Sequence, residues 1–387
     1  MQQFDEIRPY HDDEVSPTLN KLLADRCFLN VLARHRYPVL TEKYGRLLEW
    51  LVGVFFRNKV RNINSIHEFQ NAVKPYVSKL IEKTTNKVSF SGLENLKSGC
   101  ANLFLSNHRD IVLDPAFVHY GMYLHGLETP RIAIGDNLLS RPFASDLMRL
   151  NKSFIVRRSV SNRREKLKVY QTLSAYIQHS IDTGHSIWLA QREGRAKDGN
   201  DLTDTALIKM LYMSQKGLGV TFADNINSLH IVPVAISYEY DPCDERKAKE
   251  LHSIAESGQY QKATGEDMES IALGIEGFKG HIHVSFGSQL DDLYNSASDV
   301  SEAVDLQIHA NYKLHPSNYI AWEKVSQDYP DVQVPDISHA FPEHDLKVKR
   351  QEFLRRLEGV SENLHPWIFE MYARPVINHF KKPMLAQ

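Results

Sequence analysis

The segment Leu103-Phe-Leu-Ser-Asn-His-Arg-Asp-Ile-Val-Leu-Asp114-Pro115 changes from apolar to polar within a few residues. Its apolar start, 103–105, predicts the end of a buried strand. Pro115 suits the first turn of a following helix, with Asp114 as the N-cap. His108 and Asp114 therefore lie in one strand-to-helix connection, at the sheet edge where open α/β folds bind ligands.

An imidazole and a carboxylate in one such connection predict acid–base chemistry. A histidine that accepts a proton, oriented by a carboxylate, is the minimal arrangement that activates a hydroxyl group. The alternative is a surface loop in which the two residues occur together by chance, since the chain contains 18 histidines. The pattern of the remaining chain decides between these interpretations.

The composition bounds the class of protein. The 387 residues suffice for one large domain with appendages or for two domains, and 42% hydrophobic with 24% charged residues is typical of a well-packed soluble chain. The net charge of −2 argues against broad nucleic-acid binding. Three widely separated cysteines, Cys27, Cys100 and Cys243, indicate a reducing compartment and neither a disulfide framework nor a zinc site.

Two further observations concern membranes. Residues 1–6 lack the basic and apolar regions of a signal peptide. The longest apolar run, 50–56, is far shorter than the roughly 18–20 residues that span a bilayer. We therefore expect no transmembrane span and, if the protein meets a membrane, a peripheral position on its surface.

Residues 1–84 are predicted to form a helical N-terminal region. Ser16-Pro17 is typical of an N-cap followed by proline at the first helical position. Residues 44–58 place apolar and aromatic side chains at helical spacing between basic residues. This pattern predicts either an interfacial membrane helix or a core helix of a bundle, and the sequence leaves both open. A further helix is predicted over 66–83.

From residue 88 onward, short apolar strands alternate with helices. The strands are predicted at 88–92, 103–105, 131–135, 153–158, 186–190, 231–238 and 281–286, and helices among them at 114–124, 162–182 and 204–216. This alternation predicts one α/β domain over 85–292. Residues 293–387 return to helical patterning, and their basic stretch 346–357 predicts a solvated face in preference to a phospholipid-facing surface.

Polar residues follow several of these strands in a fixed order. The blocks are Asn107-His108 to Asp114-Pro115, Gly135-Asp-Asn-Leu138, Phe154-Ile-Val-Arg-Arg158, Glu193-Gly-Arg195 and Val232-Pro-Val-Ala-Ile-Ser-Tyr-Glu239. Their order and approximate spacing resemble the glycerolipid acyltransferase family, which includes glycerol-3-phosphate and 1-acylglycerol-3-phosphate acyltransferases. The Gly-Asp-Asn-Leu and Ile-Ser-Tyr-Glu elements look more like the glycerol-3-phosphate branch. The resemblance implies a mixed central sheet flanked by helices.

The sequence departs from the family pattern at two places. Five residues separate His108 from Asp114, whereas the family motif has four. We keep Asp114 as the orienting carboxylate because Leu-Asp-Pro is a common ending of that motif, and Asp110, which is nearer in sequence, stays a rival. In a second departure, Gln191-Arg192 stands where the family has an aromatic residue and proline, which leaves the acceptor less well defined than the chemistry.

The resemblance implies transfer of a fatty acyl group to glycerol-3-phosphate or its 1-acyl form. His108 would accept the proton of the hydroxyl, and Asp114 would hold the ring and stabilise the imidazolium. Backbone N–H groups at the start of the following helix would stabilise the developing oxyanion. The co-substrate would be acyl-CoA or acyl carrier protein, with no cofactor and no metal.

Predicted substrate-binding residues surround this pair. Guanidinium groups suit the acceptor phosphate, and glycine permits close approach of a ligand to the backbone. The implied set is Arg157, Arg158, Glu193, Gly194, Arg195, Asn107 and Arg109. Tyr238, together with Val232 and Pro233, would either shape the acyl or acceptor pocket or be structural.

The expected partners are the acyl donor, a glycerophospholipid acceptor and the cytoplasmic face of a membrane. Two alternatives stay open. The same chemistry could serve another lyso-lipid acceptor, such as a lyso-aminolipid without phosphate, because the residues before Glu193 are changed. A catalytically silent membrane-binding protein is the other, if the extra residue before Asp114 has disabled the site.

Overall fold

The computed structural model describes residues 2–97, 99–139, 141–263 and 265–381. The strands are β1 (Lys87–Ser91), β2 (Leu103–Ser106), β3 (Arg131–Gly135), β4 (Ser153–Val156), β5 (Ile187–Ala190), β6 (Ile231–Tyr238) and β7 (His281–Phe286). The helices are α1 (Asp12–Leu22), α2 (Arg26–Arg36), α3 (Pro38–Val60), α4 (Ile66–Thr84), α5 (Leu113–Leu124), α6 (Pro142–Leu150), α7 (Arg163–Asp182), α8 (Thr205–Leu211), α9 (Phe222–Ser228), α10 (Asp244–Ser257), α11 (Glu266–Glu276), α12 (Ala297–Asn311), α13 (Pro316–Val325), α14 (Glu343–Leu357) and α15 (His365–Phe380).

The chain divides into two compact units that do not follow sequence order. The first contains Met1–Lys79 and Arg131–Thr172, and the second contains Leu80–Pro130 and Leu173–Gln387. The predicted domain boundaries at residues 84 and 292 stay predictions. Residues 382–387 of the predicted C-terminal region lie outside the described residues.

The second unit is built on five strands in the order β1-β7-β6-β2-β5. Strand β6 pairs in parallel with β2 and antiparallel with β7, and β2 and β5 are parallel. The sheet is therefore mixed, as predicted. Every residue of β6 is buried. This explains its nearly continuous apolar sequence, because a strand covered on both faces needs no polar alternation.

Helices α10, α13, α14 and α15 form a separate apolar cluster of the second unit. Phe353, Ile368 and Ala373 are among its buried side chains. Helix α12 packs on β6, beside this cluster. The residues that follow β7 thus return to helix, which agrees with the helical C-terminal region that the sequence predicts.

The basic stretch in α14 forms the predicted solvated face only in part, because Lys347 and Arg355 are exposed whereas other cations form ion pairs. Lys349 forms an ion pair with Glu239, Arg350 pairs with Glu323, and Arg356 pairs with Asp244. Phe353 faces the apolar cluster between them. These cations therefore hold α14 against its own unit, since each finds a carboxylate there.

The first unit is mainly helical, with β3 and β4 paired in parallel. Its apolar cluster joins α1, α4 and α6 through buried Val15, Phe69 and Leu150. Helix α1 begins at Asp12, so Pro17 lies inside it and the predicted start at Ser16-Pro17 is wrong. The acidic residues 12–14 take the first turn, where negative charge is favourable.

Helix α3 buries only one face. Val52 and Leu48 pack against α2 in a small apolar cluster. Across the helix, Leu47, Trp50 and Phe55 are 56%, 60% and 54% exposed. A core helix of a bundle would bury these side chains, so the structure does not support that interpretation of 44–58. Within the described part of the chain, no helix is both long and apolar enough to cross a membrane.

Gly92 ends β1 with a left-handed backbone, at φ of 78°. A Cβ at this position would lie 1.8 Å from the carbonyl oxygen of Phe286 at the end of β7. Glycine is therefore required here both by conformation and by space.

We expect Gly92→Ala to destabilise the second unit by about 3 kcal/mol or more, because strain and a backbone clash add. The matched control is Gly184→Ala, which has a φ of 81° but nothing within 4 Å of the added Cβ. It should cost only about 1 kcal/mol. Urea denaturation followed by circular dichroism measures both. Equal midpoints for the two variants would contradict the clash.

Candidate active site

His108 and Asp114 meet at the C-terminal end of β2. His108 stands two residues after the strand, and Asp114 lies in the first turn of α5. The distance from His108 Nδ1 to Asp114 Oδ2 is 2.8 Å. The imidazole is 15% exposed and the carboxylate is fully buried. The predicted pair is thus brought together, and its histidine stays within reach of a ligand.

The Asp114 carboxylate accepts hydrogen bonds at both oxygens. Oδ2 accepts from His108 and from the backbone N–H groups of Arg109 (2.6 Å) and Asp110 (2.9 Å). Oδ1 accepts from the hydroxyl of Tyr238, at 2.7 Å. Four donors suit the ionised carboxylate, because that form can only accept.

This arrangement fixes the tautomer of His108. A carboxylate that already accepts from backbone N–H groups leaves Nδ1 as the donor, so the neutral ring carries its lone pair on Nε2. Nε2 has no hydrogen-bond partner among the described residues. The ring also packs edge-on against Trp188, with centroids 5.8 Å apart. His108 therefore presents one proton acceptor from a fixed orientation.

Asp110 has a different role from Asp114. Its Oδ1 accepts from the backbone N–H groups of Val112 and Leu113, at 2.9 and 2.8 Å. Helix α5 begins at Leu113, so the prediction of Asp114 as the N-cap is wrong, and Asp110 binds the first N–H groups instead. Burial and the neighbouring charge of Asp114 raise the pKa of Asp110. The loop thus absorbs the extra residue and leaves His108 paired with Asp114.

The oxyanion prediction for the start of α5 is not supported. The N–H groups of Arg109 and Asp110 donate to Asp114, and those of Val112 and Leu113 donate to Asp110. None of these four groups is left for a reacting carbonyl, because two carboxylates of the loop already use them.

Asn107 and Arg109 flank His108 but face the protein interior. The Asn107 amide binds the backbone of Ile236 in both directions, at 3.0 and 2.7 Å, and donates to Asp201 at 3.0 Å. Arg109, 6% exposed, donates to Asp201 at 2.6 Å and to the carbonyl of Gly199 at 3.1 Å. These contacts hold the loop in place, and the structure disfavours the predicted substrate-binding role of both residues.

Asp201 is a residue of this site that sequence reasoning missed. Its Oδ2 binds both Asn107 and Arg109, the neighbours of His108 in the chain. Asp201 and nearby charges outweigh burial and raise the pKa of Arg109. No spacing or motif in the sequence marks Asp201, because its role comes from a contact across the fold.

The loop after β5 carries Glu193, Gly194 and Arg195 beside His108. Backbone hydrogen bonds enclose this stretch, from Gln191 N–H to Ser106 at 2.8 Å and from Ala196 N–H to His108 at 2.9 Å. Gly194 has a φ of 78° and open space where a Cβ would stand. Glycine is therefore favoured at position 194 by the left-handed backbone conformation. The predicted close approach of a ligand stays a prediction.

Arg195 is the cation of the Glu193–Arg195 segment. Its Nη1 atom is buried and has no hydrogen-bond partner within the described ranges. Burial alone would raise the pKa of Asp241, but the positive charges of Lys247 and, more weakly, Arg195 lower it. Arg195 therefore lies close enough to Asp241 to affect its charge, and its Nη1 atom is a donor that could bind a ligand.

Arg157 and Arg158 belong to the first unit. Arg157 is 45% exposed and pairs with Glu6 at 2.6 Å. The backbone N–H of Arg158 donates to Asp136 at 3.0 Å, so two of the sequence blocks meet within this unit. The predicted phosphate-binding role of both arginines stays a prediction. In the part of the chain that is described, no group of three or more His, Cys, Asp or Glu side chains could hold a metal ion.

Comparisons with known proteins agree with this geometry. A sequence model of the acyltransferase family matches residues 87–237. Glycerol-3-phosphate acyltransferase from Pseudoalteromonas atlantica is 28% identical over 200 residues, which are 46% of this chain and 23% of that protein. The protein of the same name from Pseudoalteromonas translucida is 25% identical over 256 residues, 60% of this chain and 29% of that protein. The chain thus matches less than a third of each relative's length.

Among solved structures, the chain is similar to the 1-acyl-sn-glycerophosphate acyltransferase PlsC from Thermotoga maritima. The TM-score is 0.36 with 15% sequence identity, over 73% of this chain and 93% of that chain. The family match, in contrast, spans the strand, loop and helix that hold His108 and Asp114, and it continues through the Glu193–Arg195 loop to β6. The chain therefore carries an acyltransferase-family domain over residues 87–237, and it resembles the glycerolipid acyltransferases.

Proposed function

We propose that this chain transfers a fatty acyl group from an acyl thioester to a hydroxyl group of glycerol-3-phosphate or 1-acylglycerol-3-phosphate. The observation that carries the proposal is the 2.8 Å hydrogen bond from His108 Nδ1 to Asp114 Oδ2, with Nε2 left as an acceptor. The names of the curated relatives support an acceptor of this class.

The proposed reaction uses His108 as general base. Nε2 takes the proton of the acceptor hydroxyl while its oxygen attacks the thioester carbonyl carbon. The carbon–sulfur bond then breaks, and the imidazolium returns the proton to the leaving thiolate. Asp114 stabilises the imidazolium between these steps. The nucleophile belongs to the substrate, so no acyl-enzyme forms, and the co-substrate is acyl-CoA or acyl carrier protein with no further cofactor.

Arg195 supports an acceptor that carries phosphate. The loop from Glu193 to Arg195 runs beside His108, and the unpartnered Nη1 of Arg195 is a donor of the kind that phosphate binds. We propose that Glu193, Gly194 and Arg195 bind the acceptor.

An acceptor without phosphate is the second candidate, and the changed residues before Glu193 favour it. The first of them, Gln191, is 1% exposed and uses its backbone in the sheet-end contacts. Gln191 therefore has a structural role in the loop. Its difference from the family pattern is then weak support for a changed acceptor. The hypothesis of a catalytically silent protein has less support, because the extra residue before Asp114 does not separate His108 from Asp114.

We propose that the protein works at the surface of a membrane, on its cytoplasmic side. The exposed apolar face of α3 includes Leu47, Trp50 and Phe55, and exposed cations follow it on the same helix end. A shallow depression of about 670 Å³ at this end is lined by Val54, Phe55, Arg57, Asn58, Lys59 and Arg61. Aromatic groups beside cations suit the interface of an anionic bilayer.

The proposed reaction predicts that His108→Ala abolishes acyl transfer in a folded protein. Losing the general base should lower kcat by about 10³-fold or more. One radiolabelled acyl-CoA is offered with glycerol-3-phosphate, 1-acylglycerol-3-phosphate and an uncharged lyso-lipid of equal chain length. Activity of the wild type with a phosphate acceptor, lost in His108→Ala, is the expected result.

The same panel decides between the acceptors. Turnover of the uncharged lyso-lipid at the rate of the phosphate acceptors would favour the second candidate. Retained turnover in His108→Ala, with a melting curve like that of the wild type, would remove His108 from the chemistry.

Asp114→Asn should lower kcat by roughly 10²- to 10⁴-fold, since an amide cannot replace a carboxylate that accepts from four donors and fixes the tautomer. The matched control, Asp110→Asn, keeps the oxygen that binds the start of α5 and should stay within about tenfold of the wild type. Burial disfavours the charge of Asp110, so this variant should also stay folded. The opposite ranking in a steady-state assay would transfer the orienting role to Asp110.

Leu47→Glu should weaken binding to vesicles of phosphatidylglycerol and phosphatidylcholine by about tenfold, because it places a charge in the apolar face. The control is Leu306→Glu on α12, since Leu306 is 55% exposed and Leu47 is 56% exposed. Sedimentation of the purified protein with vesicles measures both. Equal binding of the two variants would exclude α3 as the docking face.

A further inference from the structure

Each oxygen of Asp114 has its own set of donors. Oδ2 binds His108 and two backbone N–H groups, whereas Oδ1 has one described partner, the hydroxyl of Tyr238 at 2.7 Å. The donors of Oδ2 come from the loop that also carries His108. Tyr238 is therefore the one donor to this carboxylate, among the residues described, that comes from another strand of the sheet.

Tyr238 is anchored in the central sheet. It is the last residue of β6, which is buried throughout and pairs with both β2 and β7. Its ring packs edge-on against Phe117 of α5, with centroids 6.0 Å apart. The tyrosine thus lies between the strand and the helix that carries Asp114, and it is 4% exposed.

The hydroxyl of Tyr238 is protonated near neutral pH and can donate. Burial, and after it the charge of Asp114, raises the pKa of Tyr238 well above its ordinary value. A neutral phenol beside an ionised carboxylate can only donate to it. The bond to Oδ1 is therefore charge-assisted.

We infer that Tyr238 is a positioning residue of the proposed reaction, which sets both the orientation and the proton affinity of His108 through Asp114. The inference rests on the proposed function for its catalytic readout. Without the Tyr238 hydroxyl, Oδ1 would lose its described donor, and the carboxylate would be held by the donors of Oδ2 alone. Its charge would also shift toward Oδ2, where it would hold the imidazolium more tightly.

Other charged groups surround this pair and contribute to any pH effect. Arg109 and Asp110 interact with Asp114 itself, whereas Asp201 and Lys247 bind Arg109, and Asp241 acts on Tyr238. Arg109 and Lys247 are engaged, by Asp201 and Asp241 respectively. Removal of one neutral hydroxyl leaves all of these charges unchanged, so Tyr238→Phe isolates the hydrogen bond.

The experiment compares pH profiles of kcat and KM for the wild type, Tyr238→Phe and a matched control. The control is Tyr240→Phe, which also removes a buried tyrosine hydroxyl of this unit, one that donates to Glu352 at 3.1 Å. In Tyr238→Phe we expect the acid limb of kcat to move to higher pH by about 0.5–1 unit and kcat to fall about tenfold. KM for the acceptor should change less than about twofold.

A second replacement should shift the acid limb of kcat in the opposite direction. Incorporation of 3-fluorotyrosine at position 238 gives a stronger donor of nearly the same size, so the acid limb should move to lower pH. This variant keeps the packing of the phenol ring and tests the inference even if Tyr238→Phe melts early.

A readout without turnover separates this inference from the proposed function. Histidine labelled with nitrogen-15 reports the titration of each imidazole, and the His108 signals are those missing from His108→Ala. Their titration midpoint should move to higher pH in Tyr238→Phe and to lower pH with 3-fluorotyrosine at position 238. If the wild type transfers no acyl group while these midpoints move, the proposed function fails and the positioning role stands.

The inference is overturned by a specific set of results. An unmoved acid limb and imidazole midpoint in Tyr238→Phe would show that the hydroxyl only fills space. A loss confined to KM would assign Tyr238 to acceptor binding. Equal changes in Tyr240→Phe would attribute the effect to general loss of stability.

Discussion

The Asp114 carboxylate is fully buried, and the local structure is arranged to satisfy it. A charge removed from water is stable only when its lone pairs find donors. Loop 107–112 supplies backbone N–H groups, His108 supplies its ring N–H, and Tyr238 supplies a hydroxyl from β6. The imidazole is thereby fixed by the same bonds that solvate the carboxylate, so stability and chemistry depend on one group.

A second buried carboxylate fixes the neighbours of the histidine. Asp201 binds Asn107 and Arg109, and it reaches them from the chain that follows the Glu193–Arg195 loop. Arg109 in turn stands over the ring of Tyr312, with 5.5 Å between the guanidinium carbon and the ring centroid. The loop that carries His108 is short, but contacts with Asp201 and Tyr312, from two other parts of the second unit, hold it in place.

The sequence predicts those parts of the fold that depend on local pattern. The apolar runs at 103–105 and 231–238 are strands, and the polar change after residue 106 places His108 and Asp114 together. Contacts across the fold were not predictable in this way. Asp201 has no local signature, and Asn107 and Arg109 look like ligand-facing residues until their burial is known. The start of α5 was misplaced because Asp110, a better cap in this geometry, lies within the same short loop.

The connection between the Glu193–Arg195 loop and residues 107–109 also affects how kinetic data on this protein should be interpreted. A substitution near Arg195 can displace Asp201 or Ala196 and so tilt the imidazole, since both residues bind the segment that carries it. Slower turnover in such a variant would then reflect misalignment of the base as much as a missing ligand contact. Direct measurement of acceptor affinity at equilibrium, in a protein that cannot turn over, separates the two causes.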